Sequence, residues 1–85
     1  MYYVYVLQSG TGDLYYGSTN NLRRRLSEHT NGESFFTRGK KWNLAYYEAY
    51  QAESDARRRE SQIKQHGHAK RWLKSRIEDS LQGKI

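Results

Sequence analysis

Residues 2–8 read Tyr-Tyr-Val-Tyr-Val-Leu-Gln. Aromatic and β-branched side chains are stiff against a preceding helical turn but pack well on a pleated surface, so this run predicts a strand. Ser9-Gly10-Thr11-Gly12-Asp13 has turn chemistry, and Leu14-Tyr15-Tyr16-Gly17-Ser18 returns as a second strand. The result is an antiparallel hairpin with a loop of about five residues. Strand alternation puts Tyr3 and Tyr5 on one face and Tyr2, Val4 and Val6 on the other. Tyr15 and Tyr16 point opposite ways. One face is thus ordinary core, and the other carries phenols. A lone hairpin is at best marginally stable in water, so the rest of the chain must cover this one.

The downstream pattern supplies the cover. Thr19-Asn20-Asn21 offers capping side chains to a helix with Leu22 and Leu26 as a buried stripe, ending near Asn31-Gly32. Residues 33–42 read as a basic, glycine-containing loop, and Asn43 to Tyr50 as a third strand. Ser54 is placed to cap a second helix running to about His66, with Gly67 as its stop. Ala69, Leu73, Ile77 and Leu81 recur every four residues, with Trp72 beside them, and predict a third helix. The expected fold is α+β: a small, mostly antiparallel three-stranded sheet flanked by helices, in the order β-β-α-β-α-α.

At 85 residues the chain is expected to form one domain, 1–85, with a thin core. No cysteine is present, which rules out a disulfide staple or a thiolate zinc site and suits a reducing compartment. The three histidines lack zinc-motif spacing. Met1 to Leu7 has neither a basic leader nor the roughly 20 apolar residues of a membrane span. A soluble, cytoplasmic protein is expected, without membrane association. The net charge is +6, and residues 21–45 hold six basic against two acidic residues. Basic clustering of this kind attracts polyanions, nucleic acid first among them. The alternative is a solvated surface.

Three positions carry candidate chemistry. Ala56, Glu60 and Ile63 share one helix face, so a carboxylate is turned toward the core. Burying it is costly unless it is paired or bound to a cation. The alternative is a rim residue paired with Lys64 or a neighbouring arginine. Arg25 and His29, four apart, flank the Leu22–Leu26 stripe on one side. A guanidinium there suits two-point capture of a phosphate, although a triple arginine also reads as surface charge. His29 alone could simply complement the helix dipole. The tyrosines, taken singly, could be sheet core.

Tyr3-Val4-Tyr5 and Tyr15-Tyr16-Gly17 resemble the two halves of the GIY-YIG nuclease signature. Arg25, ten beyond Tyr15, sits in a segment similar to that family's arginine helix, and His29 falls where the family carries histidine or tyrosine. The segment Ala56 to Lys64 resembles its glutamate helix. The resemblance spans essentially the whole chain and is to small stand-alone bacterial members similar to the nuclease module of the excinuclease C subunit. Tyr3 stands where the first motif has glycine, and Tyr16 where the second has an aliphatic residue. Many members carry an asparagine after the glutamate helix; here Asn20, Asn21, Asn31 and Asn43 all precede Glu60.

The resemblance implies a metal-dependent endonuclease acting on nucleic acid, with DNA as the expected substrate. Glu60 would hold one divalent cation, Mg²⁺ or Mn²⁺, and Tyr5 would be general base, aided by Tyr15 or His29. Arg25 would stabilise phosphoryl charge. Gly17 would allow close approach to the tyrosine or the phosphate. Arg24, Arg38, Lys40 and Lys41 are the expected nucleic-acid contacts. Two other readings stay open: a non-catalytic nucleic-acid-binding module of the same fold, and an accessory domain that acts through a protein partner.

Overall fold

The structure is a computed structural model and describes residues 1–31 and 41–81. The structure has three strands, β1 (Tyr2–Ser9), β2 (Leu14–Thr19) and β3 (Trp42–Tyr50), and three helices, α1 (Leu22–Thr30), α2 (Glu53–Gln65) and α3 (Gly67–Arg76), among the described residues. The order is the expected β-β-α-β-α-α. The sheet is antiparallel throughout, in the order β2-β1-β3. The most apolar strand therefore takes the centre, and Val4 to Ser9 are all buried. A register shift between Val6 and Leu7 moves the partner on β3 from Tyr46 to Leu44. Such an irregularity bends the strand without reversing which side chains face the core.

The two faces of the hairpin receive different cover. Val4, Val6 and Tyr16 pack with Ala56 and Ile63 of α2, Leu73 of α3 and Ile77 just beyond it. The opposite face carries Tyr3, Tyr5, Tyr15 and Tyr47 and meets α1 through His29. Both faces of β1 are thus buried, and Tyr5 is 0% exposed.

Several expectations need correction. Leu22 and Leu26 are only half-buried, and the buried residue of α1 is His29. A hydrogen-bonding face wants a ring with a polar atom more than it wants a second leucine. Asn21 caps α1 as expected, its Oδ1 accepting from the Arg24 amide at 3.0 Å. Ser54 does not cap α2. That helix starts two residues earlier, at Glu53 behind Ala52, without a side-chain cap, and Glu53 and Asp55 meet the dipole in its first turn. Gly67 is the first residue of α3 and not a stop; an extended His66 (φ −117°, ψ 111°) separates the two helices. The four-residue ladder breaks after Ile77, where a 3₁₀ turn at Glu78–Ser80 follows, and Trp72 is 69% exposed. Trp42 belongs to β3 and not to the preceding loop.

On the α2 side, Glu48 ties β3 to the helix layer. Its carboxylate accepts from Tyr46 Oη at 2.7 Å, from Tyr50 Oη, and from Arg59 Nη2 at 3.0 Å. Burial pushes this carboxyl up, but those donors outweigh it and hold it below the usual range. Both phenols are pushed up to about 12 by burial and by the carboxylate they serve. Among the described residues, no helix is long and apolar enough to cross a membrane.

Candidate active site

The site begins with a glycine. Gly17 pairs with Tyr5 across the hairpin. A Cβ built on Gly17 would lie 2.6 Å from Tyr5 Oη and 2.7 Å from Cζ, and 3.2 Å from Tyr15 Cε2. The only positive-φ glycine among the described residues is Gly12, so backbone conformation does not require glycine at 17. Space does: the Tyr5 ring lies where a side chain would be. Gly17 is therefore buried inside the cluster, under the phenol.

Held this way, Tyr5 Oη hydrogen-bonds His29 Nε2 at 3.1 Å. The Tyr15 ring closes the group, its centroid 5.1 Å from that of His29 and 6.3 Å from that of Tyr5. Burial pushes the Tyr5 phenol up to about 12, although the Arg25 guanidinium beside it works the other way. Burial, and then the Arg25 charge, pushes His29 below its ordinary range. Near neutral pH the pair is a protonated phenol bonded to a neutral imidazole. Arg25 itself bonds Glu28 through Nη1 at 3.0 Å, while its Nε is buried with no hydrogen-bond partner. An unsatisfied donor on a cation is poised to accept an anion.

Glu60 approaches from the other face. Its Oε1 accepts from Ser18 Oγ, and its Oε2 lies 2.9 Å from Lys64 Nζ. Ser18 pairs with Val4 and so points toward α2, whereas Tyr5 and Tyr15 point toward α1. Because β2 is an edge strand, the two halves meet around it: Lys64 Nζ, bound to Glu60, stands 6.0 Å from the centre of the Tyr15 ring. Burial raises the Glu60 carboxyl, but Lys64, Ser18 and the Arg57 charge together bring it below the usual value. A cleft of about 260 Å³ opens beside this junction, lined by Ser18, Thr19, Asn20, Arg24, Arg25 and Arg57 among others.

The structure thus brings Tyr5, Tyr15, Arg25 and His29 into one cluster, with Glu60 at its edge. Arg24 is exposed on the cleft, and Lys41 is exposed just before β3. Arg38 and Lys40 lie outside the described residues. Ser18 was not singled out from the sequence, and nothing in a strand serine signals a helix carboxylate 42 residues on. Lys64 had a visible signal, its position four after Glu60, which favours an ion pair on a helix.

The fit of a divalent cation can be judged from the donors. Among the described residues, no three histidine or acidic side chains gather to cage one. A single ionised carboxylate, already drawing two cation-like or hydroxyl donors, nevertheless suits a hard ion. Mg²⁺ commonly keeps several waters and takes further oxygens from substrate phosphate.

The GIY-YIG catalytic domain matches residues 1–74. A UPF0213 protein of Halobacterium salinarum is 37% identical over 84% of this chain and 95% of its own length. One from Clostridium perfringens is 41% identical over 75% of this chain and 71% of its own. The solution NMR structure of a UPF0213 protein from Bacillus halodurans superposes with a TM-score of 0.53 at 28% identity, covering 86% of this chain and 83% of that one. The chain belongs to the GIY-YIG catalytic-domain family, a family of nucleases, and is similar to its small UPF0213 members.

Proposed function

We propose that this protein is a divalent-metal-dependent endonuclease that hydrolyses phosphodiester bonds in DNA. The observation that carries the reading is the buried Tyr5–His29 hydrogen bond with the Arg25 guanidinium beside it. It is a proton-accepting pair next to a cation with a spare donor. A phenol pushed up to about 12 is a poor base alone at neutral pH, since almost none of it is ionised. A phenol bonded to a neutral imidazole is different. As a water attacks phosphorus, Tyr5 Oη takes the water's proton and passes its own to His29 Nε2. The P–O bond to the leaving oxygen breaks, and that oxygen takes a proton from solvent. Such positioned proton transfer contributes about 10²- to 10⁴-fold.

Arg25 binds the scissile phosphate and stabilises charge as it develops. Its side chain is 41% exposed and adjoins a phenol that is closed to solvent. Drawing the guanidinium toward a phosphate uncovers Tyr5 to the attacking water. Glu60 would hold the divalent cation, Mg²⁺ or Mn²⁺, which would supply Lewis-acid stabilisation of developing negative charge. Ser18 fixes the carboxylate's orientation. Arg24 and Arg57 on the cleft, with Lys41 nearby in sequence to β3, attract the DNA backbone without reading sequence.

The test is a panel of labelled linear, branched and flapped DNAs incubated with Mg²⁺, Mn²⁺ or EDTA. Cleavage that needs the metal is the expected result. Tight binding with no cleavage under either metal contradicts the reading and supports a binding module of the same fold.

A further inference from the structure

The Glu60 carboxylate already holds a cation. Its Oε2 bonds Lys64 Nζ at 2.9 Å, and its Oε1 accepts from Ser18. Each oxygen thus has a donor. The ammonium does not simply extend into solvent along the helix, as the cations of the two other pairs made within α2 do. The Arg57–Glu53 and Arg58–Asp55 pairs are more exposed on both partners, whereas Glu60 keeps only 23% of its side-chain surface and Lys64 47%. Lys64 Nζ also lies 6.0 Å from the centre of the Tyr15 ring, a separation at which a ring face attracts a cation. A positive charge therefore sits beside both the carboxylate and the tyrosine cluster.

We propose that Lys64 is a built-in competitor for the divalent cation on Glu60: its ammonium fills the cation's place in the metal-free protein and must leave Oε2 for the ion to bind. The inference rests on the reading of Glu60 as the metal ligand. Two costs oppose metal entry. The ion must break the Glu60–Lys64 pair, and it must then tolerate the ammonium charge nearby. A partly exposed i,i+4 pair of this kind is modest, and the added repulsion is screened by water. Together they weaken metal binding by about three- to tenfold. The competition also gives Lys64 a destination once displaced, since a flexible ammonium beside the site is well placed to meet a substrate phosphate. Metal-free protein thereby avoids an uncompensated, half-buried carboxylate, which desolvation would otherwise penalise.

The experiment titrates Mn²⁺ alone into the nucleic-acid-free protein and follows the electron paramagnetic resonance signal of the free ion. Wild type is compared with Lys64→Met, Arg57→Gln and Glu60→Gln. Arg57 acts on Glu60 through its charge without bonding it, so Arg57→Gln removes the same unit of charge from the same helix. The expected result is that Lys64→Met binds Mn²⁺ about three- to tenfold more tightly than wild type, that Arg57→Gln stays within about twofold, and that Glu60→Gln binds little. Tightening in Lys64→Met no greater than in Arg57→Gln overturns the inference while leaving Glu60 as ligand. Unchanged Mn²⁺ binding by Glu60→Gln overturns both the inference and the ligand assignment beneath it. If wild type shows no binding, Lys64→Met binding Mn²⁺ supports the competition, and no binding by either protein overturns it.

Discussion

Replacing Gly17 with alanine adds one methyl group and should be among the most damaging changes of its size in this chain. The new Cβ would sit 2.6 Å from Tyr5 Oη and 2.7 Å from Cζ, against an ordinary contact of at least 3.4 Å. Something must move by about 0.7–0.8 Å. Tyr5 is fully buried, so its ring cannot swing into solvent. A displacement of that size is enough to break the 3.1 Å bond to His29. Overpacking costs about 1–3 kcal/mol, and loss of a buried hydrogen bond about 0.5–1.5 kcal/mol. Alanine returns about 0.4–1 kcal/mol by restricting the unfolded chain. The net loss is about 0.5–4 kcal/mol, a large share of the stability of a small domain, and corresponds to a fall in Tm of about 2–30 °C. Urea unfolding followed by circular dichroism reads it directly. Tyr5→Leu removes both offending atoms, so Gly17→Ala should cost about 1 kcal/mol or more less in that background. A single Gly17→Ala within about 0.5 kcal/mol of wild type would refute the claim that the Tyr5 ring occupies the space above Gly17.

Other outcomes follow from the same geometry. Cleavage should fall on the acid side with a midpoint below 6.5, because His29 must be neutral to accept a proton and burial lowers its pKa; it should show no phenol ionisation between pH 8 and 10, because Tyr5 is pushed up to about 12. A pH–rate profile with an activating step in that alkaline range would contradict the relay. The sign for stability is the same: a histidine with a lowered folded pKa contributes stability present above its unfolded value of about 6.5 and lost as pH falls through the folded one. His29→Gln should therefore flatten the stability profile below pH 6.5, measured by urea midpoints. Glu48→Gln should destabilise by about 1–3 kcal/mol in the same assay, since Tyr46, Tyr50 and Arg59 all lose an ionised acceptor; an unchanged midpoint would show that this cluster does not hold β3 to α2.

What the sequence made legible is local. Aromatic and β-branched residues located β1, the turn after it located β2 as the returning strand, and Asn21 announced the start of α1. The i,i+4 spacing of Arg25 and His29, and the face shared by Ala56, Glu60 and Ile63, placed those side chains on the helix sides that meet the sheet. The failures occur where one residue type serves two ends of an element. Glycine suits a helix stop, but Gly67 opens α3 because His66 alone makes the break. Ser54 had cap chemistry, but the chain entered the helix at Glu53, where two acidic residues meet the dipole. What no local signal could give is tertiary: Ser18 meeting Glu60 around an edge strand, and Gly17 yielding its side-chain space to Tyr5. His29 shows the same limit from the other direction. Read alone it could be a dipole-complementing surface residue; only its tyrosine partner, 24 residues away, makes it the buried centre of α1.

The most direct test of the central claim compares wild type, Tyr5→Phe and Glu60→Gln on one labelled DNA substrate with Mg²⁺ or Mn²⁺, each protein first shown to be folded by its thermal melt. Loss of metal-dependent cleavage by about 10²-fold or more in both variants, with melts retained, is the predicted result. Cleavage by folded Glu60→Gln at the wild-type rate would contradict it.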